Sequence, residues 1–316
     1  MSWLKQFGGW ISKPRPAERI AVDTPAQHLL TSLLMMAWFV EARDPYTGGH
    51  LWRVSRYSRL LAEHAGFGAV AAARIGLGGF LHDLGKIGIS DAILRNPGSL
   101  TEQEYAVIKT HPAIGRRMLA SHPLASLVQD AVHLHHERPD GKGYPLGLQA
   151  AAIPEMARIV GICDAFDAMT SHRPYRRGMP RDKALGILNF EKGNQFDAHL
   201  AEVFIGLGQA GHLDHVMGHS DDGIPLQTCP MCGPTLVLRK GQHAGEHIYC
   251  PNCTSEFELK TGDGCLIASA TGKQGGPAEL EPEADTELIH RTVLASVQAL
   301  PTHELLALAA ASGRSR

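Results

Sequence analysis

TPAQHLLTSLLMMAWFVEARDPYTGGHLWRVSRYSRLLAEH, residues 24–64, sets the fold class. Thr24 followed three residues later by Gln27 is a capping box. Pro25 takes the first helical position, where its missing N–H leaves no bond unmade. The helix opened there is expected to run to about Ala42. The Pro, Gly and Asp residues of 44–49 break it, and a second helix follows over about 50–64, with Leu51, Val54, Tyr57, Leu60 and Leu61 on one stripe. Outward from this pair the helical period persists: an Ala- and Gly-rich helix from about Ala69 into His82, a capped one after Thr101 (with Glu104) that stops before Pro112, and others over about 113–120, 124–136, 155–170, 181–190 and 198–207. Alternating strands are absent from this pattern. An all-α helical bundle over 24–207 is the expected fold.

The character changes after about Gly208. The Gly-, His- and Asp-rich stretch 208–227 reads as a linker, which would let the helical domain stand alone. Residues 228–261 carry short β-like runs around two CxxC pairs, 262–284 read as a second linker, and 285–312 as a C-terminal helical segment. Residues 1–23 are expected to be a leader with no fold of its own.

The chain has 316 residues, 44% hydrophobic and 20% charged, with 30 basic against 32 acidic side chains and a formal net charge of -2. This is the balance of a globular protein with a sizeable core. No global basic field points to nucleic acid or an anionic membrane, so an anionic ligand must be met by a local cluster. The run 29–40 is too short to span a bilayer, and no export signal is evident at the start, so the expected compartment is the cytoplasm. In that reducing setting the six cysteines are not expected to form disulfides.

HDLGKIGI, residues 82–89, sets an imidazole, a carboxylate and an ammonium within five positions. Alone this fits either a tolerated cluster at a helix end or the hub of a metal site that handles phosphate. The other candidate ligands are also grouped near helix ends: His50 after "RDPYTGG", His111 before Pro112, His135 beside His136 ahead of a Gly-rich turn, and Asp164 three residues before Asp167 on one helical face. Imidazole and carboxylate without thiolate suit iron or manganese better than a closed zinc site.

In register over residues 42–204, the motifs "RDPYTGGH", "LHDLGKIGI", "HPAIG", "HHERPDGKGYP", "ARIVGICDAFDAMTSHRPYR" and "GNQFD" resemble the HD-GYP domain, a bacterial subgroup of the HD phosphohydrolases. The resemblance implies a helical bundle around a metal centre that hydrolyses cyclic di-GMP. It assigns His50, His82, Asp83 and Asp164 to one cation, and His111, His135 and His136 to a second, with Asp83 bridging them as the catalytic carboxylate. It makes Lys86 a catalytic phosphate anchor, gives Arg173 and Arg176 to the substrate's phosphates, and makes Gly143, Tyr144 and Pro145 the namesake loop, a surface for protein partners. Members with a third metal carry a glutamate four residues before the first histidine. Here that position is Tyr46, so the resemblance implies two divalent ions. An HD hydrolase of another nucleotide, or a catalytically silent adaptor, is the alternative.

Cys229, Cys232, Cys250 and Cys253 have the spacing of a zinc ribbon, in which two knuckles present four thiolates. One structural zinc is expected there, and the ribbon is a second candidate surface for partners. Cys265 lies outside the pattern. Cys163, beside Asp164, reads as a small buried hydrophobe.

Overall fold

A computed structural model describes residues 24–44, 47–96, 98–171, 178–233, 235–262, 264–281, 284–303 and 306. The leader 1–23, Tyr46, Arg173 and Arg176 lie outside the described residues, as does the end of the C-terminal segment.

The first helix, α1 (Pro25–Arg43), starts at the expected capping box: Gln27 N–H donates to Thr24 Oγ1 at 3.3 Å and Thr24 N–H to Gln27 Oε1 at 2.8 Å. Next come α2 (His50–His64), α3 (Ala69–Leu81), α4 (Asp91–Leu94), α5 (Glu102–Ile108), α6 (His111–Leu119), α7 (Ala125–Leu134), α8 (Glu155–Thr170), α9 (Arg181–Phe190) and α10 (Ala198–Gln209). The helix at His111 begins two residues earlier than its pattern suggests, because Pro112 sits in its first turn rather than ending anything.

Beyond α10 the chain forms small antiparallel sheets. β1 (His219–Asp221) pairs with β2 (Ile224–Pro225), and β3 (Gln227–Thr228) with β4 (Thr235–Leu236). β5 (His247–Tyr249), β6 (Ser255–Gly262) and β7 (Cys265–Gln274) make a three-stranded sheet in that order. α11 (Thr286–Ala299) follows, capped by Asp285, whose Oδ1 accepts from Leu288 N–H at 2.9 Å.

Two apolar centres hold the bundle. In the first, Tyr57 of α2, Phe166 of α8 and Phe204 of α10 meet edge to face with ring centroids 5.4, 5.0 and 6.0 Å apart. In the second, Leu30, Leu33 and Leu34 of α1 pack with Leu77, Phe80 and Leu81 of α3, Val128 of α7, and Ile289 and Val293 of α11.

Both expected linkers are corrected. Within 208–227, Leu213 and Val216 are fully buried in the first apolar centre and β1–β2 folds back on the bundle. Within 262–284, β7 adds a strand to β6, with Phe257 opposite Ala270 and Leu259 opposite Ala268. An edge strand needs little more than its backbone groups, so small and polar residues serve it. The C-terminal helix is no detached piece, because it closes the α1–α3 face. No helix among the described residues is long and apolar enough to cross a membrane.

Candidate metal centre

His82 ends α3, and Asp83 opens a 3-10 turn over Leu84–Gly88. That turn can lie against the start of α6 because Gly85 has no side chain. A Cβ there would come within 1.9 Å of the His111 carbonyl oxygen. This close approach carries His111 to Asp83. His50 arrives on the first residue of α2, His135 and His136 just past the end of α7, and Asp164 from the middle of α8. The seven side chains expected to act together therefore converge from five α-helices and the 3-10 turn.

They form two groups around one carboxylate. His50 Nε2 lies 3.4 Å from His82 Nε2 and 3.5 Å from Asp164 Oδ1. His111 Nε2 lies 3.4 Å from His135 Nε2, and His136 completes that cluster. Asp83 sits between: its Oδ2 is 3.3 Å from His82 Nε2 and 3.6 Å from His50 Nε2, while its Oδ1 is 3.4 Å from His111 Nε2.

The outer nitrogens explain the geometry. Nδ1–H of His82 donates to the Gly79 carbonyl at 2.7 Å, that of His111 to Ile108 at 2.8 Å and that of His135 to Ala131 at 2.7 Å. A carbonyl can only accept, so the proton sits on Nδ1 and each Nε2 presents a lone pair to the centre. Lone pairs 3.4 Å apart with no proton between them repel, and a cation fits the space they face.

Electrostatics agree. Burial lowers His111 to about 4, His136 to about 3 and His135 well below its usual value, so these imidazoles are neutral at pH 7 and free to act as lone-pair donors. Burial also opposes charge on His50, but hydrogen bonds to Asp167 and Asp83, with the charges of Asp167 and Asp164, outweigh it and raise the imidazole to about 9. Positive charge is favoured where the carboxylates meet. Asp83 stays ionised: burial would raise it, yet the Lys86 ammonium beside it holds it well below the usual carboxylate range. Lys86 Nζ lies 2.6 Å from Asp83 Oδ2.

Two further residues were not assigned roles from sequence. Asp167, one helical turn past Asp164, is buried and accepts from His50 Nδ1–H at 2.8 Å. Its oxygens also accept from Arg53 Nε at 2.6 Å and Nη2 at 3.0 Å. The three-residue spacings from Asp164 to Asp167 and from His50 to Arg53 were the available signals. We expect Asp167→Asn to weaken one metal equivalent by about 10–100-fold, as loss of an outer partner does. Removing its charge also strands Arg53 in the interior, at about 3–5 kcal/mol. Metal titration beside urea denaturation measures both, and a variant unchanged in each would show that Asp167 does not position His50.

The centre opens on a cleft of about 530 Å³ whose lining includes Lys86, Lys109, Lys142, Arg138, Arg158 and Tyr144. The Tyr144 ring stacks on His136 with centroids 4.6 Å apart and planes at 25°. Behind it, the buried Glu137 carboxylate accepts from Leu146 N–H at 2.6 Å and Leu148 N–H at 2.8 Å, tying down the loop that holds Gly143, Tyr144 and Pro145. Arg138 and Arg158 are engaged by Asp140 and Asp197.

A sequence model described as an HD domain matches residues 35–200, more than half the chain. This chain belongs to the HD-domain family. Among proteins of similar sequence, the cyclic di-GMP phosphodiesterase response regulator RpfG of Xanthomonas campestris pv. campestris is 40% identical over 176 residues, 55% of this chain and 47% of that protein. A cyclic di-GMP phosphodiesterase of Thermotoga maritima is 40% identical over 169 residues, 53% of this chain and 46% of that one. The 3'3'-cGAMP-specific phosphodiesterase 3 of Vibrio cholerae is 41% identical over 175 residues, 55% and 37% respectively. The chain spans about half the length, or less, of these curated relatives.

Cys229, Cys232, Cys250 and Cys253 are also drawn together. Sγ of Cys232 lies 3.8 Å from Cys229 and 3.5 Å from Cys250, and Cys229 lies 3.8 Å from Cys253. A tetrahedron with metal–sulfur bonds of about 2.3 Å has edges of about 3.8 Å. Cys163 is buried, and its thiol is pushed up by that burial, in keeping with a packing role.

Proposed function

We propose that this HD-domain chain hydrolyses the phosphodiester bonds of cyclic di-GMP at a two-metal centre. The observation that carries this reading is the division of Asp83, with one oxygen facing His50 and His82 and the other facing His111, at the edge of a cleft lined by basic side chains. His50, His82 and Asp164 would hold one divalent cation, and His111, His135 and His136 the other, with Asp83 shared. The nitrogen and oxygen donor set suits iron or manganese. Such a pair supplies a water of lowered pKa and neutralises charge that builds at phosphorus.

The chain's own groups do the rest. Lys86 brings an ammonium to the centre, and Lys109 and Lys142 add positive potential along the cleft, which draws in a dianionic dinucleotide. Burial raises the Tyr144 phenol, which therefore stays protonated and can donate a hydrogen bond beside His136. Arg173 and Arg176 complete the phosphate contacts in this reading. The four cysteines would hold one structural zinc.

Two relatives named for cyclic di-GMP and one for 3'3'-cGAMP match about equally well, so the substrate test carries both. The full-length protein, loaded with manganese or ferrous iron, is incubated with each dinucleotide and the products are separated by chromatography. Cyclic di-GMP is expected to give a linear dinucleotide or GMP with the higher kcat/KM. Cleavage of 3'3'-cGAMP alone would reassign the substrate, and cleavage of neither would support a silent adaptor.

A further inference from the structure

His50 is delivered by the Gly48–Gly49 turn, and that turn is gripped from outside the region matched by the family. Val237, just after β4, lies directly on Gly48: a Cβ there would come 2.2 Å from Val237 Cγ2 and 3.2 Å from Thr235 Cγ2. Ser220 of β1 lies on Gly49, whose φ of +73° belongs to the left-handed region, and a Cβ there would meet Ser220 Cα at 2.7 Å. Ser220 is buried and its hydroxyl donates to the Leu238 carbonyl at 3.4 Å, joining the two gripping segments to each other. Asp221 is in turn bound by Arg291 of α11.

Arg53 connects this grip to the metal centre. Its Nη1 donates to the Gly48 carbonyl at 3.0 Å and to the His219 carbonyl of β1 at 3.0 Å. Its Nε and Nη2 hold Asp167, which holds His50 Nδ1. On the other side of the turn, Glu41 accepts from Gly49 N–H at 2.7 Å and Leu51 N–H at 2.8 Å, so the start of α2 is fixed from both flanks.

We propose that the C-terminal module positions His50: β1 and the 235–238 segment clamp the Gly48–Gly49 turn, and Arg53 carries that clamp through Asp167 to the imidazole. The affinity of the cation position built on His50, His82 and Asp164 then depends on residues that lie outside the helical domain. The clamp acts on the turn that delivers His50, so the position built on His111, His135 and His136 does not depend on it. This inference rests on the reading that His50 is a metal ligand.

The test is a calorimetric titration of manganese into the full-length, zinc-loaded chain. Wild type is expected to take two equivalents, and His50→Ala one. Gly48→Ala pushes the turn off Val237 and is expected to weaken one equivalent by about 10–100-fold, leaving the other unchanged. Gly48→Ala combined with Val237→Ala removes the colliding methyl and is expected to recover most of that loss, together with wild-type circular dichroism. Val237→Asp, at an exposed position, weakens the same equivalent in a chain whose core is untouched. Wild-type binding by Gly48→Ala or Val237→Asp, or a double variant no tighter than Gly48→Ala, overturns the clamp. Wild-type binding by His50→Ala instead removes the ligand reading, and the clamp with it.

Discussion

Asp83→Ala is expected to leave no measurable hydrolysis of cyclic di-GMP. The carboxylate is buried between two sets of imidazoles, and its two oxygens are divided between them. Without it, the histidine sets share no anion, and Asp164 alone is left in the cluster to offset a pair of divalent charges. Removing a metal-held reaction path costs several kcal/mol of transition-state stabilisation. At about 1.36 kcal/mol per tenfold, that is on the order of 10³ or more in rate. Product chromatography on the variant, with its metal content measured, checks this. Turnover near wild type at full occupancy would show that Asp83 is not shared.

Deletion of residues 286–316 is expected to unfold the protein. Ile289 and Val293 are buried against α1 and α3, and Leu288 and Leu300 are nearly so. Four apolar side chains at about 1.5–3 kcal/mol each sum to roughly 6–12 kcal/mol. The whole stability of a domain is about 5–15 kcal/mol. The deletion also bares the leucine stripe of α1, so the fragment should aggregate. Ile289→Ala in the full chain is the milder test, with an expected loss of about 2–5 kcal/mol in urea denaturation. A truncated chain with a sharp melt close to that of wild type would mean that α11 only rests on the bundle.

The helices and the residues that cluster in the candidate centre were legible because their signals are local. A capping box at Thr24, an apolar stripe on α2, and adjacent pairs such as His82–Asp83 and His135–His136 are visible in a short window. Asp167 and Arg53 were not assigned because a charged residue on a helix reads as solvent-facing until burial is known. The stretch 208–227 looked like a linker since Leu213 and Val216 offer a single helical turn of periodicity, too short to register among Gly, His and Asp. β7 was missed for a related reason: after Leu266 and Ile267, "CLIASATGKQ" is made of small and polar residues without alternation, and only its pairing to β6 makes it a strand. The amphipathic pattern of α11 was evident, but which surface it would cover is a long-range fact.

The proposed two-metal centre is tested most directly by crystals of the protein grown with manganese, with diffraction recorded to bring out manganese anomalous scattering. Two anomalous peaks are expected, one bonded to His50, His82 and Asp164 and one to His111, His135 and His136, with one oxygen of Asp83 on each. A single peak, or two peaks of which Asp83 touches only one, would contradict it.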